Sequence, residues 1–165
     1  MTPLKPEHRL CLLAAEGWLE LGNAQEALQE LENIPAKLQS HPDVLELRWQ
    51  ICAHKKTWEE CLPLARSLIQ QAPERASGWI DLSFALHELK RTQEAWDNLF
   101  AVADKFADTP TVAYNLACYG AQLGRLWEAE QWFKQALKMS NDTKLTAMAL
   151  ADPDLKPIWE KIKQF

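Results

Sequence analysis

Apolar and polar residues follow each other along this chain with helical spacing, and the pattern recurs at a fixed interval. A Glu followed by a small residue stands at Glu26-Ala27, Glu60-Cys61, Glu94-Ala95 and Glu128-Ala129, each pair 34 residues after the last with no insertion across four copies. A period of that size marks an array of one supersecondary unit, each copy too small to bury its apolar face alone. In the first copy Pro6 suits the first turn of a helix, where a missing N–H leaves no partner unpaired, and Leu10, Leu13, Ala14, Trp18 and Leu21 keep helical spacing behind it. Gly22 is placed to end that helix in a left-handed cap, and Asn23 with Glu26 reads as a capping box for the next. The second helix is expected to bury Ala27, Leu28, Leu31 and Ile34 and to stop at Pro35.

The later copies repeat the plan. Helices are expected from Asp43 to Lys55 and, after Thr57 as a cap with Glu60, on to Gln71. Ser77 to Leu89 pairs with Gln93 to Phe106, and Thr111 to Leu123 pairs with Leu126 to Met139. Lys56 and Lys90 stand at the turn position held elsewhere by Gly22 and Gly124. A small site in the first helix holds Ala15, Ser83 and Ala117 but Trp49 in the second copy, which also has Ala65 where the others have Leu31, Leu99 and Phe133. Trp49 is therefore expected to fill volume that Ala65 vacates, and Pro63 to bend the helix that carries it. After Met139 the register lapses. Asn141 to Leu150 can form one short helix, and Asp152-Pro153-Asp154 can cap another running to Gln164, with Leu155, Ile158, Trp159 and Ile162 facing back as a lid.

These copies resemble the tetratricopeptide repeat, whose pattern runs W-x2-L-G-x2-Y…A-x3-F…P. Trp79-x2-Leu82 carries its opening, with Ser83 and Leu86 in place of Gly and Tyr; Ala95-x3-Leu99 and Ala129-x3-Phe133-x2-Ala136 carry its second half. Cys61, Leu68 and Pro73 match in the second copy, and Trp18, Gly22, Ala27 and Leu31 in the first. The resemblance implies an all-α fold, a right-handed α-solenoid of antiparallel helix hairpins. It implies one domain over 1–165, with repeats at about 8–41, 42–75, 76–109 and 110–143 and capping helices at 144–165.

Composition narrows the class. With 165 residues, 47% hydrophobic content and a formal charge of -5, the chain can build a continuous core and is a poor candidate for nucleic-acid binding. No apolar run approaches the roughly 20 residues of a spanning helix, so no membrane contact is expected and the chain is read as cytoplasmic. Cys11, Cys52, Cys61 and Cys118 form no CxxC and read as reduced, buried thiols, although Cys52 and Cys61 could approach within one hairpin. His8, His41, His54 and His87 are scattered; His54 and His87 end successive first helices and read as solvated helix-end residues, and no metal or cofactor is expected. HExxH, GxSxG, GxxxxGK[ST] and GxGxxG are absent, which points away from an enzyme. Basic residues at the turns (Lys55, Lys56, Lys90, Arg91, Arg125) precede acidic ones, a pattern that helix dipoles explain. Of eight Trp, Trp18, Trp79 and Trp132 are expected in the core, and Trp58, Trp96 and Trp127 at the seam between hairpins or on the outer surface.

In the family it resembles, the first helices line an inner peptide groove. The register places Arg9, Leu12, Glu16, Leu19, Glu46, Gln50, Ile80, Phe84, His87, Tyr114, Asn115 and Cys118 there. An apolar strip edged by Glu16 and Glu46 suits an extended peptide or an amphipathic helix, including basic ones, and Glu46 with Asp81 disfavours the grip on a C-terminal carboxylate that some members use. The expected function is a non-catalytic protein–protein interaction module, an adaptor, scaffold or chaperone-like holder. A self-associating subunit is the alternative, so a homo-oligomer stays open, as does cover of the groove by a terminal segment.

Overall fold

The computed structural model describes residues 3–140 and 144–165, and within them every regular element is a helix. Four helix pairs follow in order: α1 (Pro6–Glu20) and α2 (Ala24–Glu32), α3 (Pro42–His54) and α4 (Trp58–Gln71), α5 (Ala76–Glu88) and α6 (Thr92–Phe100), α7 (Pro110–Gln122) and α8 (Leu126–Met139). From α3 on, first helices start at 42, 76 and 110, and second helices start at 24, 58, 92 and 126, so the 34-residue period of the sequence is the period of the elements. A short 3-10 turn, Ala36–Leu38, links α2 to α3. The chain ends in α9 (Leu145–Ala151), a 3-10 stretch Pro153–Ile158 and α10 (Trp159–Ile162). These elements form two compact units, Met1–Asp81 and Leu82–Phe165, divided within α5.

One turn chemistry serves all four hairpins. Gly22, Lys56, Lys90 and Gly124 all take positive φ, at 78°, 58°, 63° and 74°. In each case the N–H of this residue bonds three residues back and the next N–H five back, as Asn23 to Trp18 and Arg125 to Gly120 do. That is the Schellman pattern, which satisfies the last carbonyls of the first helix and reverses the chain at once. Second helices then begin with acid in the first turn, at Glu26, Glu59 and Glu60, Glu94 and Glu128. Asn23 caps α2 through its side chain, which accepts from the Glu26 N–H. Thr57 departs from the expected cap: its hydroxyl turns back and donates to the Cys52 carbonyl instead.

Small residues set the spacing within hairpins. Ala27, Cys61, Ala95 and Ala129 are fully buried, as are Ala15, Ser83 and Ala117 on the facing helices, while Trp49 takes that position in α3. Leu31, Ala65, Leu99 and Phe133 fill the next layer without exposure. In unit 1, one core joins Leu12, Ala15, Leu31, Ile34, Val44 and Ile51. α4 continues past Pro63 to Gln71.

Two expectations need correction here. α6 ends at Phe100 rather than running to Phe106. Val102 and Ala103 already bond three residues back instead of four, and Asp104 and Asp108 follow where the negative end of a helix disfavours carboxylates. The second is the apolar stripe of α1. Leu12 and Ala15 face the core, whereas Leu10, Leu13 and Leu21 are 65%, 62% and 77% exposed and Trp18 is also exposed. α1 has two opposite apolar faces, and periodicity picked the outer one.

In unit 2 the C-terminal segment packs back onto α7 and α8. Leu155, Ile158 and Ile162 are buried, Lys156, Lys161 and Lys163 are exposed, and the Trp159 indole donates to the Ala149 carbonyl at 3.0 Å. The expected single helix to Gln164 is instead 3-10 as far as Ile158, with Pro157 inside it, so α10 is only one turn. The helix expected from Asn141 begins at Leu145, and residues 141–143 lie outside the described residues.

Candidate functional site

Helix-to-helix packing in unit 1 presents one side of α1 beside one side of α3. There Arg9, Leu12, Glu16, Glu46 and Gln50 line a depression of about 330 Å³, and Leu13, Leu47 and Asp43 complete its floor and rim. A second depression, about 290 Å³, lies against Glu16, Leu19, Glu20 and Gln50. Six of the residues placed in the groove by register thus share this surface: Arg9, Leu12, Glu16, Leu19, Glu46 and Gln50. The seventh on unit 1, Ile80, lies on α5 and is half-buried.

The rim is acidic and partly internally braced. Arg75 donates to Asp43 at 2.7 Å and to Glu46 at 3.4 Å, and the Ser77 hydroxyl donates to the other oxygen of Glu46. Burial, reinforced by the Glu46 carboxylate, pushes the Asp81 carboxyl up to about 7. Glu16 and Glu20 remain exposed to a ligand.

In unit 2 the corresponding residues meet the chain's own C-terminal segment. The Tyr114 hydroxyl donates to Asp152 Oδ2 at 2.8 Å, and the Cys118 thiol approaches the same oxygen at 3.7 Å. His87 Nε2 lies 3.0 Å from Asp154 Oδ2, and Gln122 donates to the Asp154 carbonyl at 2.8 Å. Asp152 also accepts from the Asp154 N–H, the side-chain cap that its position before Pro153 led one to expect. His87 is therefore buried, not solvated as its helix-end position suggested. Its burial follows from pairing with a residue 67 positions away, a contact that no local pattern announces. Phe84 is partly exposed and Asn115 half-buried.

Burial raises the Cys52 and Cys118 thiols and pushes Cys61 up to about 12, which keeps each protonated. Burial likewise raises the phenols of Tyr114 and Tyr119. Among the described residues no group of three or more His, Cys, Asp or Glu could hold a metal ion, and no helix is long and apolar enough to cross a membrane.

The aromatic residues divide by position. Trp96 is buried, stacked on Phe100 at 5.7 Å and covered by the Arg125 guanidinium at 4.9 Å from its ring. Gly120 makes room for it, since a Cβ there would come within 3.0 Å of the indole. Trp127 is exposed, and Trp18 is exposed where a core position was expected.

Solved structures share the helical-hairpin fold of this chain. The chain is similar to PilF of Pseudomonas aeruginosa, with a TM-score of 0.77, 16% identity, and 95% of this chain and 70% of that one covered. It is similar to MamA 41-end from Desulfovibrio magneticus RS-1 at a TM-score of 0.71 and 16% identity, with 98% and 96% covered. The chain has a tetratricopeptide-type repeat fold. MamA MSR-1 shares it at a TM-score of 0.65 and 20% identity, over 80% of this chain and 76% of that one. At these identities the likeness is one of fold. No family model matches the sequence, and no curated protein does.

Proposed function

We propose that this tetratricopeptide-type chain is a non-catalytic protein-interaction module that holds a basic peptide or amphipathic helix against α1 and α3 of unit 1. The observation that carries the reading is the pair of adjoining depressions with Leu12, Leu19 and Leu47 in the floor and Glu16, Glu20 and Glu46 at the edge. An apolar floor takes the non-polar face of a ligand, and carboxylates held at the edge select Lys or Arg on its flank. Arg9 and Arg75 set the limit of that preference, because each places a cation at the same rim. In unit 2 the residues Tyr114, Cys118 and His87 are engaged in cis by Asp152 and Asp154, which leaves unit 1 as the open surface for a partner.

The test is fluorescence anisotropy with a panel of labelled amphipathic peptides that differ only in Lys and Arg content. Affinity should rise with positive charge and fall with added salt. Glu16→Lys together with Glu20→Lys should weaken the best peptide by roughly tenfold or more, since each turns an attractive edge into a repulsive one. Equal affinity for the doubly substituted chain contradicts the reading.

A further inference from the structure

The outer face of α1 is apolar along its length, with Leu10, Leu13, Gly17, Trp18 and Leu21 recurring at helical spacing opposite the core residues Leu12 and Ala15. The repeat register says what such a face is built for. Thirty-four residues after Leu10, Leu13 and Gly17 stand Val44, Leu47 and Ile51, all buried in the core shared with Leu31 and Ile34 of the preceding hairpin. The next equivalent of Leu10 is Gly78, where a Cβ would lie 3.1 Å from Leu68 and Ile69 of α4. The last equivalent of Trp18 is Gly120, which meets Trp96 of α6. In three helices of the array this face receives a neighbouring helix, and in α1 it is open.

We propose that α1 packs antiparallel against α1 of a second copy of this chain, in an isologous dimer. The stripe is self-complementary. A two-fold axis between Ala15 and Glu16 sets Leu10 against the second copy's Leu21 and Ala14 against its Gly17, with Leu13 and Trp18 on opposite flanks of the seam. A small residue meets a glycine at the centre, and Gly17 has no atom within 4 Å of where a Cβ would stand, so the two helices can approach closely. Charge agrees with the same orientation. Arg9 near one end and Glu20 at the other lie on one flank of α1, and reversal brings each beside its opposite on the second copy. Antiparallel helix dipoles add to this. The interface centres on the outer face of the helix, and because Arg9, Leu13 and Glu20 also border the depressions of unit 1, it is tested by mass in the absence of any peptide.

Sedimentation equilibrium of the full chain over a wide concentration range tests it. The mass should climb from 18.9 kDa toward twice that value. Leu10→Glu and Leu21→Glu, each at an exposed position and so compatible with an unchanged helical circular-dichroism spectrum, should raise the dimer dissociation constant roughly tenfold or more by placing a carboxylate against leucine. Arg9→Glu should weaken the dimer, and Arg9→Glu with Glu20→Arg should restore it. A chain that stays at 18.9 kDa at every concentration, or one whose dimer is indifferent to both leucine substitutions, overturns the proposal.

Discussion

His87 Nε2 lies 3.0 Å from Asp154 Oδ2 while Nδ1 of the same ring lies 3.0 Å from the Thr92 hydroxyl. Both ring nitrogens of a buried histidine are thereby used, one toward its own hairpin turn and one toward the C-terminal segment. A ring that donates from Nε2 to the carboxylate and bonds the hydroxyl through Nδ1 satisfies both partners. Asp154→Ala leaves a buried N–H without an acceptor and should cost about 1–3 kcal/mol in urea unfolding. Tyr114→Phe, which removes the donor to Asp152, should act in the same direction. Amide exchange should quicken first in Leu155 to Ile162; unchanged exchange in both variants contradicts a holding role for these two hydrogen bonds.

The left-handed turns yield a prediction of opposite sign. Lys56 and Lys90 carry side chains at φ 58° and 63°, where a Cβ is disfavoured and glycine is not. Lys56→Gly and Lys90→Gly should each stabilise by about 0.5–1 kcal/mol, and Gly124→Ala should destabilise by about 1 kcal/mol. Thermal unfolding of the three variants measures this.

Asp81 makes stability depend on pH. Its carboxyl rises from an ordinary 3.8 to about 7 because burial, and then the neighbouring Glu46, disfavour the charged form. A raised folded value means that the neutral acid is the form the fold prefers. Its contribution is complete below pH 4 and is lost as pH climbs through 7. The urea midpoint of the parent should fall more between pH 5 and pH 8 than that of Asp81→Asn, which cannot ionise. Identical pH dependence in the two proteins contradicts the assignment.

Trp49 and Ala65 occupy one repeat with a large residue where the other copies have a small one, and the reverse. Both are buried, so added volume at Ala65 has no room to escape to solvent. Ala65→Leu should destabilise by about 1–3 kcal/mol through overpacking, measured by denaturant unfolding. A neutral result would separate the two positions.

What could be read in advance follows from the range of each interaction. The helices and their turns rest on contacts within five residues, and a 34-residue period repeats them four times, so Gly22 and Lys56 were legible as one structural position. Burial of Ala27, Cys61, Ala95 and Ala129 was legible for the same reason. Leu10, Leu13 and Leu21 misled because helical periodicity finds an apolar face without saying what covers it. The apolar spacing that reaches Phe106 outruns α6, which stops at Phe100 ahead of Asp104 and Asp108. Burial of His87 depends on Asp154, a partner 67 residues away that local spacing does not announce. Arg9, Leu12, Glu16, Glu46 and Gln50 line one depression because α1 and α3 lie side by side one period apart, whereas the pairing of Tyr114 and Cys118 with Asp152 depends on the path of the C-terminal segment.

The central claim is that the partner surface lies on α1 and α3, while the equivalent face of α7 is held by the chain itself. Hydrogen–deuterium exchange of the full chain, with and without a saturating Lys/Arg-rich amphipathic peptide, tests it most directly. New protection in α1 and α3 around Leu12, Glu16, Glu46 and Gln50, with the 152–158 segment unchanged, is the predicted result. Protection confined to α7 around Tyr114 and Cys118, with exchange released in 152–158, would contradict it.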